Sequence, residues 1–183
     1  IFGANIYSAK FDEENSSPLQ RDQDDITFGL FANNIYDFSK NWVLETGFRS
    51  DYSEDWGVFL LPRVSLLFKN DRGFSSRFGG GLGYKIPDIF SEDAEVLKYD
   101  KVLAIDKDTV SAEHSYGLNF DLNFKTYLSN EISVSINQLF YVTAIKDALL
   151  LNTTSNGFYA FENASDIIIS KGAETNIKFS YKD

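Results

Sequence analysis

Apolar and polar residues alternate along much of this chain with a period of two. From Tyr116 to Lys125, the even positions are large and apolar, and the odd positions are glycine, polar or charged. Successive side chains of a β-strand point to opposite faces, so this segment predicts a strand with one apolar and one polar face. The pattern has exceptions: Gln138 falls on the apolar side, and Leu139 and Tyr141 fall on the polar side.

The same alternation recurs along the chain and predicts an all-β fold of about eight antiparallel strands. Most of these strands exceed the five or six residues typical of soluble strands and match the length that crosses a bilayer at a tilt. No linker or change in composition divides the chain, so residues 1–183 are predicted to form a single β-barrel segment. The predicted strands are 1–12, 24–37, 41–53, 57–69, 73–86, 110–127, 131–151 and 157–182.

Short and long connections alternate between the predicted strands. The turns at 37–41, 70–73 and 128–131 are short and contain the Asn, Asp, Gly and Ser residues that tight hairpins favour. The polar loops at 13–23 and 87–109 are long, and 87–95 is expected to hold a short helical turn. Outer-membrane barrels have short periplasmic turns and long extracellular loops. This arrangement predicts that the long loops face outwards and that both chain ends lie on the periplasmic side.

The polar faces of the strands indicate a membrane barrel rather than a soluble sandwich. They carry many glycines, such as Gly79, Gly81 and Gly83, where a solvent face would carry more Lys, Glu and Thr. Glycine within a strand marks curvature or the close approach of another backbone. Lipid on one side and a filled polar lumen on the other explain both faces.

Composition and charge narrow the function further. The net charge of −10 argues against nucleic-acid binding, which needs a basic surface. The chain has no Cys and one His, His114, and no Ser–His–Asp spacing, so we predict no catalytic residue, no metal site and no cofactor. The acidic loop segments 92–95 and 106–108 offer oxygen ligands for Ca²⁺, but neither matches an EF-hand loop.

Several segments together resemble the barrel of TonB-dependent outer-membrane receptors. The similar stretches are Leu61–Lys69, Arg77–Asp88, Asn137–Tyr141 and Gly172–Glu174, and the resemblance extends from about Phe28 onwards. It implies a 22-stranded barrel in the bacterial outer membrane, filled by an N-terminal plug domain. It also implies import of a nutrient chelate, such as an iron–siderophore, haem or cobalamin, and no enzymatic activity.

This chain departs from the family pattern because it lacks a plug and a TonB-binding segment. We therefore expect a piece of the middle-to-late barrel, whose partners are outer-membrane lipid, the plug, the remaining strands, TonB through the missing N-terminal region, and the metal chelate. Two alternatives remain open from the sequence. One is a complete eight-stranded barrel with a structural or adhesive role, and the other is a soluble lipocalin-like binding barrel.

Strand direction assigns candidate site residues to two groups. The candidate ligand-binding residues lie near the outer mouth: Arg49, Tyr52, Trp56, Lys85 and Tyr99. Residues expected to face the lumen, where they would meet plug acids or one another, are Glu45, Arg63, Arg77, Asp121 and Lys125.

Overall fold

A computed structural model describes residues 1–13 and 20–181 of the chain. Its main feature is one antiparallel sheet of eight strands, which neighbour one another in this order: β1 (Phe2–Phe11), β2 (Gln23–Asp37), β3 (Trp42–Ser53), β4 (Gly57–Lys69), β5 (Phe74–Lys85), β6 (Glu113–Tyr127), β7 (Ile132–Lys146) and β10 (Ile168–Tyr181). Within the described residues the sheet is open, with β1 and β10 at its edges, so it does not form a closed eight-stranded barrel.

The last two predicted strands are each divided in the structure. The chain turns after β7 at Asp147, whose φ is +56°, and then forms a separate hairpin of β8 (Leu149–Thr153) and β9 (Tyr159–Asn163). The predicted ranges 131–151 and 157–182 therefore each join a wall strand to a hairpin strand. Alternation continues through the hairpin because Leu149 and Leu151 pack into a core between the loops. Most of the predicted loop 13–23 lies in residues 14–19, outside the described part.

The outer end of the sheet carries a small hydrophobic core made by two connections. The β5–β6 connection contains the predicted helical turn, α1 (Glu92–Val96), which Ser91 caps by accepting a hydrogen bond from the backbone of Ala94. Its apolar residues pack on the β8–β9 hairpin around Ile89, Ala94, Val102 and Phe161. No helix among residues 1–13 and 20–181 is both long and apolar enough to cross a membrane.

The strand register confirms the two-faced pattern. Leu118 pairs with Gly80 and Val142, whereas its neighbour Asn119 pairs with Gly79 and Tyr141. The exceptions noted in the sequence follow the same register, so Tyr141 lies on the polar face. The apolar face is exposed: the exposed fraction is 54% for Phe78 and 52% for Leu118.

Tyr84 is a correction to the alternation, which predicts it on the apolar face with Phe78 and Leu82. In the structure its ring stacks on Phe59, with 3.8 Å between ring centroids, and its hydroxyl donates to Asp51 at 2.8 Å. The β4–β5 ladder ends at the Arg63–Gly81 pair, so that ladder does not fix the face that Tyr84 takes.

A continuous row of aromatic rings follows the inner end of the sheet, where the short turns lie. The row runs Tyr36, Phe38, Trp42, Phe68 and Phe74, with successive ring centroids 6.1, 6.4, 4.9 and 6.3 Å apart. The opposite end has isolated rings on the apolar face, such as Tyr52 and Tyr116. Amphipathic rings at two heights are typical of the two interfaces of a membrane barrel.

Candidate functional site

A groove of about 600 Å³ crosses the middle of the polar face. Its floor includes Gly79, Gly81 and Gly117 from β5 and β6, and Tyr141 and Thr143 of β7 form one wall. Gly81 pairs with Gly117, so two adjacent strands present bare backbone at the same level. A surface without side chains allows another segment or a ligand to approach the backbone closely.

Arg63 lies beside this groove and is held in place by glutamate and glycine on β3. Its Nη2 lies 2.6 Å from Oε1 of Glu45, and Asn33 donates to the same oxygen at 3.4 Å. A Cβ on residue 47 would stand 2.8 Å from the Arg63 side chain, so the Arg63 side chain can pass across β3 only because residue 47 is glycine. The Arg63 side chain is 61% exposed, so solvent weakens its attraction to Glu45.

Arg77, Asp121 and Lys125 share this polar face. Arg77 stands opposite Asp121 in the β5–β6 register, yet the Asp121 carboxylate accepts hydrogen bonds from Asn123 and Asn137, the latter at 2.8 Å. Within residues 1–13 and 20–181, Arg77 has no carboxylate within 4.0 Å. Its charge is therefore available to a group that enters the groove.

The outer part of the polar face contains a buried carboxylate that the sequence did not single out. Asp51 is 2% exposed, its Oδ2 accepts the Tyr84 hydroxyl, and the Nε of Arg49 lies 2.8 Å from the same oxygen. Its Oδ1 also lies 2.8 Å from the Arg49 Nε, although no described residue gives it a well-directed hydrogen bond, and it lies 2.5 Å from where a Cβ on Gly29 would stand. Period-two alternation marks Asp51 as one more polar-face residue and carries no sign of its burial or of its link to Tyr84.

The predicted ligand-binding residues are not all brought together. Arg49 lies on the polar face, and Lys85 ends β5 opposite Glu113 of β6, whereas Tyr52 pairs with Phe28 and Val58 on the apolar face. Trp56 donates to Asp25 at 3.4 Å in the loop after β3. Tyr52 and Arg49 therefore lie on opposite faces of the sheet.

Tyr99 belongs to the core between the outer loops. Its ring packs against that core and lies edge-on to Phe90, with centroids 6.2 Å apart. Arg21 donates to the Tyr99 carbonyl at 2.7 Å and forms an ion pair with Glu13. Lys107 forms an ion pair with Asp55. Polar contacts thus join the β5–β6 connection to the β1–β2 and β3–β4 connections.

Negative charge is concentrated at the outer end of the sheet. The four connections there, 12–22, 54–56, 86–112 and 147–167, contain sixteen acidic and four basic residues, whereas the three short turns carry two of each sign. Within the described ranges, however, no three His, Cys, Asp or Glu side chains are grouped so as to hold a metal ion.

The exposed apolar face, the glycine-rich polar face, the inner row of aromatic rings and the separate rings at the outer end define a segment of membrane β-barrel wall. The sequence profile of the family described as TonB dependent receptor-like, beta-barrel matches residues 2–182. The chain belongs to this family.

Solved structures with the same fold are receptors of this type. The siderophore receptor PirA from Pseudomonas aeruginosa superposes with a TM-score of 0.74 at 16% identity, over 96% of this chain and 32% of PirA. The Serratia marcescens hemophore receptor HasR, solved with its hemophore HasA and heme, gives 0.76 at 16% identity, over 98% and 36%. A mutant of the ferric enterobactin receptor PfeA from Pseudomonas aeruginosa, solved with enterobactin, gives 0.72 at 14% identity, over 95% and 30%.

This chain thus spans about a third of the length of these receptors, and identities of 14–16% establish the shared fold alone. No curated protein matches the sequence.

Proposed function

We propose that this chain forms part of the wall of a bacterial outer-membrane receptor that imports a nutrient chelate, such as an iron–siderophore, haem or cobalamin, with energy supplied through TonB. The observation that carries the proposal is the groove over Gly79, Gly81 and Gly117. Membership of the family and the ligands named for PirA, PfeA and HasR support this class of cargo.

The glycine floor is the docking surface for a plug domain inside the barrel. Bare backbone admits a packed segment, and Arg63 and Arg77 at its side supply cations for acidic plug residues. Charge-assisted hydrogen bonds from a guanidinium to a carboxylate fix geometry as well as attraction.

Ligand contact belongs to the outer part of the same face. Arg49 is the cation on this face, Lys85 stands at the outer end of β5, and Trp56 and Tyr99 reach the mouth from adjoining loops. Asp51 fixes the Arg49 side chain at its Nε, which leaves the terminal amino groups for an anionic chelate. Tyr52 lies on the outward face, where we assign it to the outer lipid interface.

Valine at position 117 of the full receptor tests the docking surface. A Cβ at that position would meet nothing closer than Thr143 Oγ1 at 3.8 Å, and β-branched residues suit strands, so the sheet tolerates the change. The valine would nevertheless fill the groove. We expect Gly117→Val to reduce uptake at least about tenfold, equivalent to about 1.4 kcal/mol of lost docking.

The assay measures uptake of radiolabelled ferric catecholate, ferric hydroxamate, haem and cobalamin by cells that carry the full receptor. Leu118→Val, on the opposite face of the same strand, is the matched control and should keep wild-type uptake. Heat-modifiable mobility on gels verifies that each barrel is folded. Unchanged uptake by a folded Gly117→Val receptor would reject the docking surface, and no uptake of any chelate by the wild type would reject the cargo class.

Membrane orientation has its own test because the chain contains no cysteine. In intact cells, an impermeant thiol reagent should label Asp106→Cys in the exposed β5–β6 loop and leave Asp71→Cys in a short turn unlabelled. The opposite labelling pattern would reverse the orientation.

A further inference from the structure

The tip of the β8–β9 hairpin contains the only Asn–Gly pair in the sequence. Asn156 and Gly157 are both exposed, and Gly157 has a φ of +77°. A Cβ on Gly157 would meet no heavy atom within 4 Å, its chain neighbours aside. Since glycine has no side chain of its own and lies in open space, the Asn156 side chain can approach the Gly157 backbone nitrogen.

Few contacts restrain this part of the turn. Among the described residues, none is a hydrogen-bond partner of the Asn156 side chain; the side-chain hydrogen bond of the turn is made by Thr154 with Phe158. The Gly157 amide donates to the Thr154 carbonyl at 3.1 Å. This single bond lies in an exposed turn, where local opening frees the nitrogen.

The other two asparagines of the hairpin are held differently. Asn163 donates to the carbonyls of Ser111 and Asp147 at 2.9 and 2.6 Å, which fixes its side-chain amide. Asn152 is exposed, like Asn156, but it donates to Glu162 at 3.0 Å and precedes Thr153, whose branched side chain obstructs the backbone nitrogen. The structure therefore leaves Asn156 as the reactive asparagine of this hairpin.

We propose that Asn156 deamidates spontaneously in the folded protein and converts to aspartate and isoaspartate. The Gly157 nitrogen gives its proton to water and bonds to Cγ of Asn156, and the Cγ–Nδ2 bond breaks to release ammonia. Water then opens the five-membered succinimide. Attack at Cγ gives aspartate, and attack at the backbone carbonyl carbon gives isoaspartate, whose chain runs through Cβ and Cγ. Water is the only co-reactant, and either product carries one new carboxylate.

The isoaspartyl form lengthens the backbone by one carbon at a point where hydrogen bonds close the hairpin. The Thr154 amide donates to the Phe158 carbonyl at 2.7 Å. The next residue, Tyr159, donates to the Lys101 carbonyl and accepts from the Leu103 amide, both at 2.8 Å. These last two bonds hold the β5–β6 connection against the hairpin. We expect the extra carbon to weaken them, and the new carboxylate to add to the negative charge of the outer end.

The test ages the purified full receptor in detergent, at mildly alkaline pH, in water enriched in heavy oxygen. Peptide mass spectrometry follows each asparagine, and isoaspartyl methyltransferase detects isoaspartate. The Asn156 amide should be lost at least about tenfold faster than that of Asn152, the matched control in the same hairpin, because only Asn156 precedes glycine. The product should contain one heavy oxygen atom and include isoaspartate. Equal loss at the two asparagines, or aspartate without isoaspartate, would overturn the proposal.

Hydrogen exchange of residues 101–103 measures the effect on the loops. It should be about tenfold faster in the aged wild type than in the unaged wild type. Asn156→Gln, aged in parallel, keeps an amide whose ring closure is less favourable and should retain slow exchange. Freshly prepared Asn156→Asp adds the same charge without the extra carbon and should also exchange slowly. Unchanged exchange in a fully deamidated receptor would show that the modification leaves the loops intact and would refute their weakening. Chelate uptake tests the proposed function separately.

Discussion

Arginine at position 120 tests which face of the sheet meets lipid. Phe120 pairs with Phe78 and Phe140 on the apolar face and is 38% exposed. It lies four residues from Phe124, which pairs with Phe74 of the inner aromatic row, and four residues from Tyr116 at the outer end. Four residues rise about 10 Å at a tilt of about 40°, so Phe120 stands near the middle of the apolar band.

An arginine at the bilayer midplane of such a barrel costs about 2–4 kcal/mol. Phe120→Arg should therefore lower the folded-to-unfolded ratio by about 30-fold to 700-fold, at about 1.4 kcal/mol per factor of ten. Asn119→Arg places the same charge on the polar face of the same strand. We expect it to change the free energy of unfolding by less than about 0.5 kcal/mol, as for most surface substitutions.

The measurement is the fraction of full receptor that refolds into phospholipid vesicles across a urea series, read from heat-modifiable gel mobility. Both variants add one arginine to adjacent positions, so differences in expression or net charge cancel. If Phe120→Arg folded like the wild type and Asn119→Arg did not, the assignment of the two faces would be wrong.

Three further changes test the outer half of the molecule. Phe161→Ala removes a ring from the core between the loops, where it is 6% exposed, and should destabilise these loops by about 3–5 kcal/mol, seen as faster local hydrogen exchange without loss of the sheet. Asp51→Asn should weaken the tie to the Tyr84 hydroxyl, because the charge-assisted bond becomes neutral, and thiol labelling of a cysteine in the β5–β6 loop should become faster. The hydrogen bonds from Arg21 hold the pKa of the Glu13 carboxyl below its ordinary value. The ion pair therefore stabilises the loop fully at any pH above that ordinary pKa, and the stabilisation is lost as the pH falls through the lowered pKa. Limited proteolysis of the loops over an acidic pH series measures this loss.

The sequence was sufficient to predict the eight wall strands because alternation encodes their faces directly. The boundaries of β4 match the prediction 57–69, and those of β2, β3 and β5 lie within one residue of it. A strand with lipid on one side keeps a strict period of two, so the signal is strong wherever the wall continues.

The pattern failed where apolar residues meet other loops instead of lipid. Leu149 and Leu151 continue the alternation of β7, although they pack against loop residues in a separate hairpin. Phe59 is an aromatic residue near the outer end of β4, yet it is 3% exposed and lies on the polar face beneath Tyr84. Periodicity records that a side chain avoids water and does not record what covers it.

Candidate site residues were less predictable because their roles depend on contacts between distant segments. The ion pair of Arg63 with Glu45 requires glycine at position 47. The burial of Asp51 depends on Tyr84, thirty-three positions further along the chain. Such pairings follow from register, which a single sequence reveals only after the strands are aligned.

The aromatic rings are linked at the inner end of the sheet and separate at the outer end, and this difference affects how the wall responds to bilayer thickness. Five linked rings fix the inner rim at one depth, whereas the rings of the outer rim stand apart. Hydrophobic mismatch is absorbed wherever anchoring is weakest. In thinner or thicker membranes, we expect the periplasmic interface to stay in place while lipids around the extracellular rim stretch or compress.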